Sequence, residues 1–98
     1  MPAYLIAEHI VTDAAKFEEY LTKVGPTIAN YGGRYLTRGG SHKFPEGGHW
    51  SPERVAIIEF PDMQSLNAWY TSAEYKPLIA VRKESTSDMD MLITIEGA

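Results

Sequence analysis

The sequence predicts an α+β fold in which one antiparallel four-stranded sheet carries helices on a single face. Two observations lead to this fold class. Apolar strand-like runs and stretches of helical spacing follow one another in the order strand, helix, strand, strand, helices, strand. Strands joined through helices are expected to run parallel with right-handed crossovers, whereas the middle two strands are joined as a hairpin.

The first strand and the first helix begin the chain. Residues 3–11 (AYLIAEHIV) are nearly continuous in apolar character, which is typical of a strand buried on both faces. Thr12 and Asp13 are helix-capping residue types, and apolar side chains then recur every three or four residues. The pair Gly25-Pro26 predicts a kink or a break, with Pro26 opening a second short helical segment.

Two glycine pairs frame the second strand. Gly32–Gly33 is expected to end the helix with a positive φ angle, which glycine adopts without steric cost. Residues 34–38 then form the strand, and Gly39–Gly40 is expected to mark a bulge or a bend in it. Residues 41–53 are rich in turn-forming types and predict a long loop.

The second half of the chain repeats the pattern of strand, helix and strand. Residues 54–60 (RVAIIEF) form the third strand, which Pro61–Asp62 ends before a helix. Thr71–Glu74 resembles a capping box that opens a further short helix. Residues 90–96 form the final strand. All connections are satisfied by a ferredoxin-like βαββαβ sandwich with sheet order 4-1-3-2 and antiparallel neighbours throughout.

Composition narrows the class of protein. The 98 residues fit one domain, residues 1–98, and the net charge of −4 disfavours a nucleic-acid partner. The chain has no cysteine, which excludes disulfides and thiolate chemistry. The N-terminal residues lack the basic leader of a signal peptide, and no apolar run approaches the roughly 20 residues of a membrane helix. We therefore expect a cytoplasmic protein without a membrane partner.

The predicted fold leaves the sheet face opposite the helices uncovered. An exposed sheet face is normally polar, but strands three and four carry apolar residues on both faces. An apolar face of this size on a monomer would promote aggregation. The sequence therefore predicts a two-fold homodimer that buries this face.

Three segments resemble a known family. They are MPAYLIAEHIVTD, YGGRYLTRGG and HWSPERVAIIEFPDMQSLNAWYTSAEY, and the chain from Pro2 to about Gly97 resembles the domain-of-unknown-function family 1330 of the dimeric α/β-barrel superfamily. The resemblance implies a ferredoxin-like protomer, a homodimer whose two sheets form a barrel, and a small cavity between sheet and helices. It implies no agreed activity. The superfamily includes cofactor-free monooxygenases, isomerases of small lactones and haem-degrading enzymes, which is an analogy of fold only.

Arg38 is the first candidate ligand-binding residue. It lies four residues after Arg34 on a strand, so both side chains are expected on one face. The predicted topology gathers Arg38, Arg54, Glu8 and His9 at one end of the sheet. Arg38 then either binds the carboxylate of a small ligand or forms a buried ion pair with Glu8.

Glu8 and His42 are the candidates for proton transfer. Glu8 interrupts an apolar strand, where burial can raise the pKa of a carboxyl group and suit it to act as a general base. It can equally be the partner of Arg38. His42 lies in the long loop and suits a proton shuttle at a pocket mouth, because histidine titrates near neutrality.

Tyr35, Trp69 and Tyr75 are the candidates for the wall of a binding pocket. Hydroxyl groups and an indole in an otherwise apolar cavity are typical of small-molecule sites. Packing in the core is the alternative for each of them. The three histidines show no metal-ligand spacing, so we predict no metal, and we predict no cofactor, since haem enters only by the superfamily analogy.

Two functions follow from these patterns. The first is a small homodimeric protein that binds a carboxylate-bearing or aromatic metabolite, with cofactor-independent monooxygenase-like or isomerase-like activity as its catalytic form. The second is a non-catalytic dimeric interaction or regulatory module whose cavity is filled by side chains. A solvent-connected cavity distinguishes the first from the second.

Overall fold

The computed structural model describes all 98 residues and has the predicted architecture. A four-stranded antiparallel sheet has the order β2-β3-β1-β4, the predicted order read from the other edge. The molecule is a flat slab, 19 Å in its thinnest dimension, with three helices on one face of the sheet. The elements are β1 (Ala3–His9), α1 (Ala14–Asn30), β2 (Arg34–Arg38), β3 (Arg54–Phe60), α2 (Met63–Tyr70), α3 (Lys76–Ser85) and β4 (Met91–Glu96).

Helix α1 begins at the predicted cap but does not break. The Asp13 side chain accepts a hydrogen bond from the Lys16 backbone N–H at 3.1 Å. The helix continues through Pro26 to Asn30, so the expected separate segment is wrong. Val24 and Ile28, on either side of the proline, are both buried against the sheet. Burial of this continuous apolar stripe outweighs the loss of one helical hydrogen bond.

The glycine pair after α1 forms a Schellman motif. The Gly33 N–H donates to the Ile28 carbonyl and the Gly32 N–H to the Ala29 carbonyl, each at 3.0 Å. Gly32 has a φ of 79°, which confirms the predicted helix end. Gly33 is needed for a different reason, because a Cβ there would lie 2.6 Å from Ile28 and 2.8 Å from Phe60.

Strand β2 contains a bulge at Leu36, whereas the sequence predicted a bulge or a bend at Gly39–Gly40. Arg34 pairs with Glu59 and Arg38 with Ala56, but the register shifts between Tyr35 and Thr37. The extra residue reverses the side-chain alternation, so Arg34 and Arg38 point to opposite faces of the sheet. The expectation that they share a face is therefore wrong. Gly39, with a φ of 74°, bends the chain directly after the strand, as predicted.

The turn between α2 and α3 differs from the predicted capping box. The Thr71 hydroxyl donates back to the Asn67 carbonyl at the end of α2. Ser72 is the residue that caps, since its hydroxyl accepts from the Tyr75 N–H at 3.1 Å. The Glu74 carboxylate accepts from the Asn30 side chain instead of closing a box. The segment 71–75 therefore forms a turn, and α3 starts later than expected.

Within a single chain, strand β1 has one buried face. Its odd-numbered residues are buried beneath the helices, whereas its even-numbered residues are half-exposed. The helix-free face carries Ile6 at its centre, in register with Ile57 of β3 and Ile93 of β4. This row of isoleucines is the apolar open face that the sequence indicated. None of the three helices has the length and apolar content needed to cross a membrane.

Candidate functional site

A cavity of about 20 Å³ lies between α1 and the sheet. This volume is enough for one water-sized molecule. Aliphatic side chains form most of its wall, and the wall residues that can take part in chemistry are His9, Tyr20, Tyr35, Arg54 and Trp69. The cavity therefore combines an apolar interior with polar groups, but it is too small for a whole metabolite.

Arg54 is the arginine that borders this cavity. Its guanidinium packs against Gly39, where a Cβ would lie 2.7 Å from Arg54 Nε, so the second glycine pair leaves room for this side chain. Its other neighbour is the Phe17 ring, 5.6 Å from Arg54 Cζ. Burial lowers the pKa of Arg54, and the charge of Arg38 lowers it further. No carboxylate lies within ion-pair distance of Arg54.

Arg38 lies outside the cavity, at its rim. The side chain is exposed, and its Cζ stacks over the Tyr35 ring at 4.5 Å from the centroid. The predicted pair with Glu8 does not form, because the bulge in β2 turns Arg38 to the helix side and Glu8 points to the open face. Arg38 and Arg54 thus flank Tyr35 without an acidic partner. Tyr35 is half-buried, and burial raises the pKa of its hydroxyl despite both arginines.

Glu8 and His42 lie on the other side of the sheet. The Glu8 carboxylate accepts a hydrogen bond from the Trp50 indole at 2.5 Å. His42 is exposed in the loop, where its Nε2 bonds the Pro52 carbonyl at 3.0 Å. His42 borders a shallow groove with Val55, the cross-strand neighbour of Glu8. The two candidates for proton transfer are therefore near each other but separated from Arg38 and from the cavity.

Trp69 and Tyr75 belong to the core. Both are fully buried, and their ring centroids are 4.1 Å apart. The Trp69 indole donates to the Thr27 hydroxyl at 3.0 Å, and Trp69 forms part of the cavity wall. Tyr75 does not reach the wall. Tyr75 therefore packs in the core only, whereas Trp69 both packs in the core and lines the cavity.

A buried polar network, which the sequence analysis missed, adjoins the cavity. The His9 Nδ1–H donates to Asp90 Oδ1, and the other oxygen of Asp90 lies 3.1 Å from Arg82 Nε. Arg82 donates to the Tyr75 hydroxyl at 2.7 Å, which is hydrogen-bonded to the Tyr20 hydroxyl at 2.9 Å. Each member is nearly or fully inaccessible to solvent. The network runs from one wall residue, His9, to another, Tyr20.

The network perturbs the ionisation of its members. Burial is the main cause that raises the pKa of Tyr20 well above its ordinary value, and the neighbouring Tyr75 adds to it. Burial likewise raises the pKa of Tyr75, against the opposing charge of Arg82. Burial lowers the pKa of Arg82, but the tyrosines and Asp90 raise it by more. Both hydroxyls are therefore protonated and the guanidinium is charged at neutral pH.

Two signals in the sequence could have revealed this network. His9 shares its parity with Leu5 and Ala7, so it lies on the buried face of β1. Asp90 directly precedes β4, whose first residue pairs with Glu8, the neighbour of His9. The buried face of β1 and the pairing of β1 with β4 together place the His9 imidazole beside the Asp90 carboxylate. No three His, Asp or Glu side chains converge in the way that metal ligands do.

Comparison with known structures places the fold among ferredoxin-like α+β proteins. A protein of unknown function from Rhodopseudomonas palustris is 16% identical, with a TM-score of 0.80 over 99% of this chain and 82% of its own. A dimeric ferredoxin-like protein of unknown function from Jannaschia is 11% identical, with a TM-score of 0.76 over 99% of this chain and 100% of its own. SnoaB, a cofactor-independent oxygenase from Streptomyces nogalater, is 8% identical, with a TM-score of 0.66 over 99% of this chain and 93% of its own.

The family is shown by sequence. The model of the family described as domain of unknown function (DUF1330) matches residues 2–98, and the chain belongs to that family. No curated protein matches the chain. The structural similarities lie at identities that define the fold alone.

Proposed function

We propose that this protein is a homodimer that binds a small carboxylate-bearing or aromatic metabolite at the rim of the cavity, with Arg54 and Arg38 holding the carboxylate. The observation that carries the proposal is the pairing state of the arginines. Arg34 bonds Glu59 at 2.8 Å and Arg82 contacts Asp90 at 3.1 Å, whereas the two arginines beside Tyr35 have no acidic partner.

A half-buried guanidinium without an ion-pair partner, that of Arg54, needs a reason in a chain of net charge −4, whereas the exposed Arg38 is solvated. Carboxylates are available, yet none lies within ion-pair distance of Arg54, which is half-buried and so loses part of its hydration. A guanidinium presents a planar fork of donors that matches a carboxylate. A partly desolvated fork binds an anion more strongly than one in bulk water, because the local dielectric is lower.

The size of the cavity limits the ligand. A volume of about 20 Å³ accepts only the small end of a molecule. The remainder would lie outside, against the Tyr35 ring and the Arg38 guanidinium, which already stack at 4.5 Å. Flat or aromatic acids suit this rim, because arginine and tyrosine both offer planar surfaces.

The dimer is supported by the open face and by the neighbours. The central row on that face consists of Ile6, Ile57 and Ile93, and Ile95 beyond it is 51% exposed. One similar structure is described as a dimeric ferredoxin-like protein. Joining two such faces would bury Glu8 and the groove at His42, so proton transfer by these two residues is proposed only at the dimer interface.

A cofactor-independent enzyme is the catalytic form of the proposal, and the fold of SnoaB gives it an example. The alternative is a non-catalytic dimeric module, which the small volume of the cavity favours. The alternative predicts that no small acid stabilises the protein by more than an equal concentration of salt does.

A thermal-shift series tests the proposal. Benzoate is compared with benzyl alcohol, which has the ring but no charge, on the wild type, Arg54→Gln and Lys76→Gln. Lys76 is an exposed cation on α3 and serves as the charge control. Benzoate at 100 times its Kd should raise the free energy of unfolding by about 2.7 kcal/mol in the wild type and in Lys76→Gln. Equal shifts with benzyl alcohol, or an unchanged shift in Arg54→Gln, would reject the arginine site.

A further inference from the structure

His9 has the features of a general base. It is 2% exposed, it lies on the helix-facing side of β1, and it forms part of the cavity wall. Its Nδ1 is bonded to Asp90, and Nε2 makes no hydrogen bond within the chain. A carboxylate that accepts the Nδ1–H fixes the neutral tautomer in which Nε2 carries the free electron pair. The imidazole is therefore oriented for proton acceptance on its unbonded side.

The position of Asp90 is itself fixed. Arg82 contacts the second carboxylate oxygen at 3.1 Å, and the Tyr75 hydroxyl accepts from Arg82 at 2.7 Å. Tyr20 continues the network at 2.9 Å. The Asp90 carboxylate, which is hydrogen-bonded to the ring, partly compensates the positive charge that His9 gains on accepting a proton, because Arg82 shares the same carboxylate.

Arg54 stands beside this base. His9 and Arg54 are directly paired residues of neighbouring antiparallel strands, and both border the same cavity. Directly paired residues have Cα atoms roughly 4.5–5.5 Å apart, so one small group can contact both side chains. A base next to a cation suits a reaction that removes a proton and leaves negative charge on oxygen.

We propose that His9, positioned by Asp90, removes a C3 proton from a short 2-oxo acid whose oxygens are held by Arg54. The inference rests on the proposed carboxylate site. The C3–H bond breaks, its proton bonds to His9 Nε2, and its electron pair forms the C2–C3 double bond of an enolate. The carbonyl electrons move to oxygen, where Arg54 stabilises the charge. Return of the proton to C3 restores the acid, so the cycle needs no oxidant, reductant or cofactor.

The size of the cavity favours this substrate class. A methyl or methylene group at C3 is the part that would enter a space of about 20 Å³, while the carboxylate stays at the rim with the arginines. Larger reacting groups would not reach His9. The reaction class is keto–enol interconversion or isomerisation through an enolate.

The experiment uses pyruvate in D₂O. Loss of the C3 proton signal is followed by ¹H NMR, and pyruvate binding is measured on the same samples by calorimetry. The wild type and Lys76→Gln should accelerate exchange over buffer. His9→Gln should bind pyruvate but lose about 10²–10⁴-fold in exchange rate, the usual contribution of a general base. The ¹⁵N resonance of His9 Nε2 in the wild type should shift when pyruvate binds.

The outcomes separate the two proposals. Pyruvate binding with no exchange above buffer would overturn the His9 inference and leave the carboxylate site standing. Absence of both binding and exchange would overturn the 2-oxo acid inference, and the benzoate series on the same protein then decides separately whether the carboxylate site stands. If His9→Gln does not fold, the wild type decides: exchange together with a shifted Nε2 resonance supports the base, and exchange with an unchanged resonance overturns it.

Discussion

Asp90 and Arg82 form an ion pair at 3.1 Å in the interior, with each side chain only 6% exposed. The same carboxylate accepts the hydrogen bond of His9, so it joins β1, α3 and the segment before β4. A buried carboxylate shared by an arginine and a histidine is costly to remove, because its partners are left without compensation. It therefore connects the stability of the fold to the orientation of the proposed base.

Asp90→Asn should destabilise the protein by about 3–5 kcal/mol, since it leaves the buried Arg82 charge without its partner. Urea unfolding measures the change. Asp88→Asn is the matched control, because Asp88 is exposed, makes no ion pair and lies two residues away. It should change the free energy of unfolding by less than about 0.5 kcal/mol. Equal effects of the two substitutions would contradict the buried network.

Gly33→Ala should cost about 1–3 kcal/mol, because the new Cβ would lie 2.6 Å from Ile28 and 2.8 Å from Phe60. Gly40→Ala provides the comparison. No atom lies within 4 Å of a Cβ at Gly40, and its φ is not positive. That variant should be neutral or more stable by about 0.4–1 kcal/mol. Thermal unfolding of both variants decides whether the helix end is as tightly packed as described.

Ile93→Lys should convert the protein from dimer to monomer. Ile93 lies in the central row of the open face, next to Ile6, and a charge there cannot be buried against a second sheet without a partner. Analytical ultracentrifugation at micromolar concentration gives the mass of both species. Lys76→Gln, on the helix side, should remain dimeric. A wild type that sediments as a monomer would refute the sheet-to-sheet dimer.

Stability should fall in alkaline solution because of Tyr20. Burial raises the pKa of Tyr20 in the folded protein, whereas in the unfolded chain tyrosine ionises near pH 10. The unfolded chain therefore loses the proton first. The stabilisation is fully present below about pH 10 and is lost as the pH rises from there toward the folded-state pKa. Urea unfolding from about pH 8.5 to 11 should give a shallower decline for Tyr20→Phe than for the wild type.

The order of elements was enough to predict the sheet. Once the chain was divided into strand, helix, hairpin and crossover, handedness and pairing left one order, and the strands 34–38 and 54–60 have the predicted bounds. The continuity of α1 through Pro26 could not be predicted, because the cost of a proline is local and its compensation by Val24 and Ile28 is tertiary.

The site was harder to predict than the fold. A single bulge at Leu36 reverses the faces of Arg34 and Arg38, and nothing in RYLTR distinguishes a bulged strand from a regular one. The expected meeting of Arg38 and Glu8 failed for that reason alone. Arg54 and His9 were expected at the correct end of the sheet, but the importance of Asp90, 81 residues after His9, emerged only from the packing of the crossover.

The binding of benzoate tests the central claim most directly. Isothermal titration should give a measurable Kd for the wild type and for Lys76→Gln. Arg54→Gln should weaken binding at least tenfold, since loss of a charge-assisted hydrogen bond costs about 1.5–3 kcal/mol. Absence of benzoate binding to the folded wild type, or equal affinity in Arg54→Gln, would contradict the assignment of the two unpaired arginines as an anion site.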